Sequence, residues 1–234
     1  MYIKKTLKIS RLGQRLFIIH LFIIYYLLFI YIYIYIMNNF YKSGIKIGNR
    51  PPNHTPDIMG TNEEPWMTRE SINWLYKYIV NNPIKNLKLL EYGSGSSTAY
   101  FLSLGLIVTS IEHHDGWLSS IKNNLTPNLL NNWIPCLIKN QKEGLDQGSD
   151  GEYYDDYVNH IDKLEMFDII IVDGRCRSKC IEKSINKLNS GGLFIVDNAE
   201  RKGYQKSINN NIPKHWKKHV FPTPVDTTII WIKP

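Results

Sequence analysis

The sequence predicts an α/β fold in which a mostly parallel sheet carries a ligand site at the carboxyl ends of its strands. Two observations support this prediction. A short apolar strand, a glycine turn and the start of a helix follow one another in residues 87–98. In addition, four predicted strands end in an acidic residue, and these residues are Glu91, Glu112, Asp173 and Asp197. Such acids meet at one edge of a parallel sheet, where they repel one another unless a ligand or a cation compensates them.

The glycine turn and the residues after it read Glu-Tyr-Gly-Ser-Gly-Ser-Ser-Thr over residues 91–98. Gly93 and Gly95 leave room for a ligand against the backbone, and Ser96 can cap a helix whose free N–H groups face the turn. A dinucleotide site needs a third glycine where Thr98 stands, and the Gly-Lys-Ser/Thr of a phosphate loop is absent. An acid followed by Gly-x-Gly after a strand resembles the first motif of the class I S-adenosylmethionine-dependent methyltransferases.

This resemblance implies a Rossmann-like sheet of seven strands, mostly parallel, with the last strand inserted antiparallel. It implies that the turn cradles the methionine part of S-adenosylmethionine and that Glu91 helps to hold its ammonium end. Glu112 would accept hydrogen bonds from both ribose hydroxyls, because one carboxylate offers two oxygens. The cofactor-binding residues predicted in this way are Glu91, Gly93, Gly95, Ser96, Thr98, Glu112, His113 and Asp173.

The other elements follow from their apolar patterns. Apolar residues at helical spacing predict a helix that begins near Trp66 and ends before Pro83. Residues 144–165 are predicted to form a solvated loop with a short helix, in which tyrosines 153, 154 and 157 could cover a substrate. Just before this loop, Asn140, Gln141 and Glu143 are equal candidates for the adenine amino group. The predicted strands are 87–91, 106–112, 133–140, 166–173 and 192–196, followed by a helix near 204–210 and an antiparallel pair at 217–221 and 227–232.

The N-terminal part of the chain contains an apolar and aromatic run at residues 16–36, interrupted only by His20. A helix of that length rises about 31 Å, which matches the hydrocarbon core of a bilayer. Basic residues precede the run, which predicts a single-pass membrane protein with its N-terminus in the cytosol. An alternative stays open, since the Tyr-Ile alternation of residues 31–36 could reflect AT-rich DNA. Translation would then start at Met37 and give a soluble cytoplasmic protein.

The charge distribution argues against nucleic acid as the partner. The formal net charge is +7, from 28 basic and 21 acidic residues, but five of the basic residues lie in residues 1–36, which contain no acid. The remaining 23 basic residues against 21 acidic ones leave residues 37–234 at only +2. We therefore expect a basic N-terminus with a transmembrane helix at 1–36, a linker or arm at 37–65 and a methyltransferase-like domain at 66–234.

The chemistry of methyl transfer makes Asp173, Arg175 and Asp197 the candidate catalytic residues. Transfer from a sulfonium is an in-line displacement, so the protein must align the nucleophile and, for a hydroxyl, remove its proton. Asp173 is placed to orient the cofactor amine or to act as the base. The set Asp173, Asp197 and Asn198 also matches the metal ligands of the catechol-type O-methyltransferases, where a cation such as Mg²⁺ activates a hydroxyl. Those enzymes carry a lysine soon after the first Asp, whereas Arg175 cannot act as a base, so the metal is the less favoured interpretation.

Basic residues also follow the two strands that end in Asp173 and Asp197, and they predict an anionic acceptor. The predicted function is therefore O-methylation of a small-molecule or glycan-type acceptor by an S-adenosylmethionine-dependent enzyme. The alternatives are an inactive methyltransferase-like binding or scaffold protein and a nucleic-acid methyltransferase, which the lack of an Asn/Asp-Pro-Pro-Tyr motif disfavours. The basic residues are Arg175, Arg177, Lys179, Arg201, Lys202 and Lys206.

Overall fold

A single seven-stranded sheet dominates the structure, a computed structural model that describes residues 65–234. The strand order is β3-β2-β1-β4-β5-β7-β6. The first five strands pair in parallel, and β7 runs antiparallel between β5 and β6. The predicted sheet, mostly parallel with an inserted antiparallel strand, is therefore confirmed. The strands are β1 (Lys88–Tyr92), β2 (Ile107–Glu112), β3 (Trp133–Leu137), β4 (Phe167–Val172), β5 (Leu188–Val196), β6 (Lys217–Pro222) and β7 (Thr227–Ile232).

Helices cover the sheet and explain why its central strands are so apolar. Leu89 and Leu90 of β1 and Ile169 and Ile170 of β4 are fully buried although neighbouring side chains point to opposite faces. Burial on both faces is what a covered parallel sheet requires. The helices are α1 (Arg69–Val80), α2 (Ser96–Ser103), α3 (Asp115–Asn124), α4 (Pro127–Leu130), α5 (Asp155–Asn159), α6 (Arg177–Ser184) and α7 (Lys202–Asn211), with 3₁₀ turns at His160–Lys163 and Ile185–Lys187.

The register of the sheet brings the ends of three strands into one row. Tyr92 pairs with Val172, and Val172 pairs with Val196. The ladder continues one residue further, because the N–H of Asp173 donates to the carbonyl of Tyr92 at 3.1 Å and the N–H of Asp197 donates to the carbonyl of Val172 at 3.3 Å. The carboxyl ends of β1, β4 and β5 therefore lie side by side.

Several element boundaries differ from the predicted ones. The first helix begins at Arg69, three residues after Trp66, and the backbone N–H of Thr68, just before it, donates to the hydroxyl of Thr228 on β7 at 3.2 Å. Strand β3 ends at Leu137. Strand β5 begins at Leu188, earlier than expected, because the Gly191-Gly192 pair forms an irregularity inside the strand rather than a turn before it.

The tyrosines of the 144–165 segment do not cover the site from outside. Tyr154 and Tyr157 are 2% and 0% exposed and belong to the main hydrophobic core. Their rings lie 5.4 Å and 6.1 Å from the ring of His113. The polar composition of the segment gave no indication that these two tyrosines belong to the core, where they pack against His113.

The prediction of a single-pass membrane protein is corrected. Between residues 65 and 234, no helix is both long and apolar enough to cross a membrane. The run at 16–36 on which that prediction rested, like the linker at 37–64, lies outside the described residues.

Candidate active site

A cavity of about 620 Å³ opens at the carboxyl edge of the sheet, above the row formed by β1, β4 and β5. One side is formed by the glycine turn, the end of β2 and two tryptophans. The other side is formed by the 145–149 loop and by residues that follow β4 and β5. The lining residues are Trp66, Gly93, Ser94, Gly95, Ser96, Ser97, Glu112, His113, Trp117, residues 145–149, Asp173, Gly174, Arg175, Cys176, Arg177, Ser178, Lys179, Asn198, Arg201 and Tyr204.

The glycine turn depends on the absence of a side chain at Gly93. Its φ of +90° lies in the region that L residues avoid. A Cβ at this position would stand 2.8 Å from the Cα of Gly174, on the adjacent strand end. The N–H of Gly93 donates to the carbonyl of Ile111 at 2.9 Å, so the turn is fixed to β2 as well. Because Gly93 and Gly174 both lack a side chain, the turn can lie flat against the end of β4.

Glu112 closes β2 and faces the cavity with a carboxylate that is only 4% exposed. One oxygen, Oε2, accepts the backbone N–H of Ser94 at 2.8 Å. The other, Oε1, accepts the N–H groups of His113 and His114, both at 2.8 Å, and lies 2.8 Å from Nδ1 of His113. Burial alone would raise the pKa of Glu112, but these hydrogen bonds and the His113 side chain outweigh burial and lower it. The site therefore holds an ionised carboxylate next to the glycine turn.

Glu91 does not line the cavity, although the sequence placed it there. It is fully buried inside β1, beneath the start of α2, where its carboxyl group accepts the hydroxyls of Ser97 at 3.0 Å, Ser110 at 2.6 Å and Thr98. Thr98 in turn accepts the N–H of Gly95 at 3.0 Å and also stays behind the turn. Glu91 and Thr98 thus shape the turn from behind, whereas the other predicted cofactor-binding residues all line the cavity.

We expect Glu91 to make the stability of the fold depend on pH. Burial raises the pKa of Glu91 to about 7, from an ordinary value of 4.5. Between these values the folded chain keeps a proton that the unfolded chain has lost. The corresponding stabilisation is complete below pH 4.5 and is lost as the pH rises through 7, with a total loss of roughly 3 kcal/mol.

The test compares wild type with Glu91→Gln by urea unfolding at acid and at mildly alkaline pH. The variant has no carboxyl group at this position, so its free energy of unfolding should fall less with rising pH. Asp197 also has a raised pKa of about 7, so the difference between the two proteins isolates Glu91. An equal fall in both proteins would contradict the assignment.

The acids that end β4 and β5 surround Arg177, the first residue of α6. Its guanidinium lies 2.7 Å from Oδ1 of Asp173 and 3.2 Å from Oδ1 of Asn198. Asp197 is 1% exposed, does not line the cavity, and its Oδ1 accepts the hydroxyl of Thr228 at 2.7 Å. Burial and the nearby charge of Asp173 raise the pKa of Asp197.

This arrangement does not fit the metal centre that the catechol-type resemblance implied. Two of its three ligands, Asp173 and Asn198, contact the guanidinium of Arg177 instead of an open position for a cation. In the part of the chain that the structure describes, no group of three or more His, Cys, Asp or Glu side chains could hold a metal ion.

Sequence reasoning missed Trp66 and the 145–149 loop as parts of the cavity lining. Trp66 and Trp117 meet edge to face, with ring centroids 6.4 Å apart, although Trp66 precedes the first helix. The adenine candidates Asn140, Gln141 and Glu143 stay outside the lining, and the 145–149 loop takes their place. The carboxylate of Asp155 holds this loop through the N–H groups of Leu145 and Asp146 at 2.8 Å and 3.2 Å.

Solved structures that are similar to this fold include methyltransferases. A protein from Staphylococcus aureus described as a caffeoyl-CoA O-methyltransferase is 21% identical, with a TM-score of 0.52 over 73% of this chain and 86% of that one. A protein from Clostridium thermocellum described as an rRNA methylase is 12% identical, with a TM-score of 0.51 over 70% and 97%. A methyltransferase from Streptococcus mutans in complex with SAH is 14% identical, with a TM-score of 0.50 over 70% and 97%.

These likenesses define the fold as that of the class I S-adenosylmethionine-dependent methyltransferases. At such identities they establish the fold alone. No protein-family model matches the sequence, and no curated protein matches it. What the chain does must therefore be argued from its own cavity.

Proposed function

We propose that the chain is an S-adenosylmethionine-dependent methyltransferase that O-methylates an anionic small-molecule or glycan-type acceptor. The observation that carries the proposal is the joint opening of the Gly93 turn and the Glu112 carboxylate onto one cavity of about 620 Å³. A cavity of this size is in the range of small-molecule and cofactor sites. S-adenosylmethionine, when bound, supplies an electrophilic methyl group, so the chain has to bind, orient and exclude water and, for a hydroxyl acceptor, take up the proton that the oxygen loses.

The half of the cavity next to β1 and β2 suits the cofactor. The flat turn at Gly93 and Gly95 offers backbone to the methionine part, and the ionised Glu112 offers oxygens to the ribose hydroxyls. Asp173, whose Oδ1 is fixed by Arg177 at 2.7 Å, is 29% exposed and suits the cofactor amine. His113 and the edge-to-face tryptophan pair lie beside these groups and suit the adenosine part.

The opposite half of the cavity suits a negatively charged acceptor. Lys179 and Arg201 line it with side chains that are 53% and 51% exposed, and Arg175, 42% exposed, stands at its boundary with Nε 3.5 Å from Nε2 of His113. Their acidic neighbours stand at 3.4–4.0 Å, which leaves these cations less tightly paired than Arg177. Leu145, 92% exposed, adds an apolar contact from the 145–149 loop. A carboxylate or phosphate group on the acceptor would find a complementary wall here.

The proposal is tested by measuring the release of S-adenosylhomocysteine from the full-length chain with matched acid and neutral acceptors. Glucuronic acid against glucose and hydroxybenzoates against phenols are suitable pairs. Turnover with the acid of a pair supports the proposal. If the folded chain binds the cofactor but releases no product with any acceptor, the proposal fails and the inactive binding protein takes its place.

For an acid that is turned over, we expect Arg201→Ala to raise KM about tenfold, because the loss of one charge-assisted contact amounts to about 1.4 kcal/mol. The affinity for the cofactor should not change, since Arg201 lies on the acceptor side. Lys202→Ala is the matched control, as Lys202 is an exposed cation outside the cavity. Equal effects of the two substitutions would remove Arg201 from the acceptor site.

A further inference from the structure

Each nitrogen of the Arg177 guanidinium donates to at least one oxygen of the protein. Nε donates to the carbonyl of Gly174 at 3.0 Å. Nη1 donates to the carbonyl of Asp197 at 2.7 Å and to Oδ1 of Asn198 at 3.2 Å. Nη2 donates to the carbonyl of Asp173 at 2.7 Å and lies 2.7 Å from Oδ1 of Asp173 as an ion pair. These hydrogen bonds and the ion pair tie all three nitrogens of the guanidinium to oxygens of the protein.

This side chain is also enclosed. It is only 11% exposed, and its guanidinium carbon lies 5.7 Å from the centre of the Tyr204 ring on α7. Such a position combines ion pairing, hydrogen bonds from all three nitrogens and a cation–π contact. It differs from the three other basic residues of the cavity, whose side chains are 42–53% exposed.

Two residues next to Arg177, one in the chain and one in space, have unusual backbone conformations. Cys176, directly before it, has a φ of 45°, and Asn198, which accepts its Nη1, has a φ of 51°. Asn tolerates this left-handed region, but Cys adopts it at a cost. Two such residues at one side chain indicate that the chain is held in shape around the guanidinium.

Two of the oxygens that Arg177 contacts, Oδ1 of Asp173 and Oδ1 of Asn198, belong to a set that suits a hard divalent cation. Side-chain oxygens of Asp173, Asp197 and Asn198 gather at the ends of two adjacent strands, and Oδ2 of Asp197 is buried without a hydrogen-bond partner. Carboxylate and amide oxygens are the ligands of Mg²⁺ and Ca²⁺. The guanidinium supplies the positive charge at this edge in their place.

We propose that Arg177 is a built-in cation that permanently takes the place of a divalent metal ion at the ends of β4 and β5. It positions Asp173 and Asn198 and neutralises the acidic edge without any exchangeable ion. The consequence that methyl transfer needs no divalent cation rests on the proposed function. The claim that Arg177 occupies the place of a metal ion does not rest on the proposed function, because it follows from the contacts of Arg177.

The test is thermal unfolding of the full-length chain in chelator and in millimolar Mg²⁺ or Ca²⁺, for wild type, Arg177→Gln and Arg177→Lys. For wild type, the unfolding temperature in chelator should equal that in the divalent cation. The same should hold for the lysine variant, since each protein keeps a positive charge at the site. Arg177→Gln should lose on the order of 10 °C in chelator, because it leaves buried acceptors unpaired, and should regain part of this in the presence of the cation. Adding Asp173→Asn to this variant should abolish the gain.

A folded Arg177→Gln variant that shows no response to cations would overturn the proposal. Terbium luminescence, excited through the adjacent Tyr204, tests whether the wild-type site binds a cation. This measurement does not require any variant at position 177 to fold. Absence of a wild-type signal supports the proposal, and a signal that Asp173→Asn removes would overturn it. A chain with the expected cation behaviour but no affinity for S-adenosylmethionine would refute the proposed function and leave the assignment of Arg177 standing.

Discussion

Gly93→Ala is expected to lower the free energy of unfolding by roughly 2–5 kcal/mol and to abolish measurable cofactor binding. A left-handed φ costs an L residue roughly 1–2 kcal/mol. The new methyl group would also stand 2.8 Å from the Cα of Gly174, where backbone must shift, and such overpacking adds about 1–3 kcal/mol. Chemical unfolding measures the loss of stability, and calorimetric titration with S-adenosylmethionine measures the loss of the site.

Gly105→Ala is the matched control for this substitution. Gly105 also has a positive φ, +82°, but a Cβ there would meet no atom within 4 Å. Its variant should therefore lose only about 1–2 kcal/mol and should bind the cofactor like wild type. Equal losses of stability in the two variants would mean that the close approach of Gly93 to Gly174 contributes nothing.

Glu112→Ala is expected to raise the dissociation constant for S-adenosylmethionine about 5- to 150-fold. The substitution removes a charge-assisted acceptor for the ribose hydroxyls, a loss of roughly 1–3 kcal/mol. Calorimetric titration measures the change, with far-UV circular dichroism to verify that the variant is folded. Glu143→Ala, at an exposed carboxylate outside the cavity, should leave the affinity unchanged. If Glu112→Ala binds as tightly as wild type, the ribose assignment is wrong.

The sheet could be predicted from the sequence because its signals are local. The four consecutive aliphatic residues at 169–172 predict a strand buried on both faces, and the glycine turn predicts the crossover after β1. Each of these patterns depends on residues close together in the chain. The structure confirms both.

The role of Glu91 could not be predicted, because it depends on one residue of register. Tyr92 continues β1, so Glu91 lies inside the strand opposite Ser110 rather than at its end. Side chains alternate between the two faces, and a difference of one residue therefore directs the carboxyl group beneath α2 instead of into the cavity. Glu112, in contrast, is the last residue of β2. The expectation that an acid at the end of a strand faces the cavity is therefore correct for Glu112.

The position of Arg177 was unpredictable for a different reason. A run of basic residues after a strand usually forms a solvated face, and nothing in the composition distinguishes Arg177 from Arg175 or Lys179. The distinction arises from contacts with Asn198 and the carbonyl of Asp197, about twenty residues away in the chain. Such long-range contacts become visible only when β4 and β5 are paired.

Calorimetric titration of the full-length chain with S-adenosylmethionine tests the central claim most directly. We predict binding at one site per chain, weakened by Glu112→Ala, abolished by Gly93→Ala and unchanged by Gly105→Ala. Absence of binding to the folded wild-type chain, or binding that is indifferent to both site substitutions, would contradict the assignment of this cavity to the cofactor.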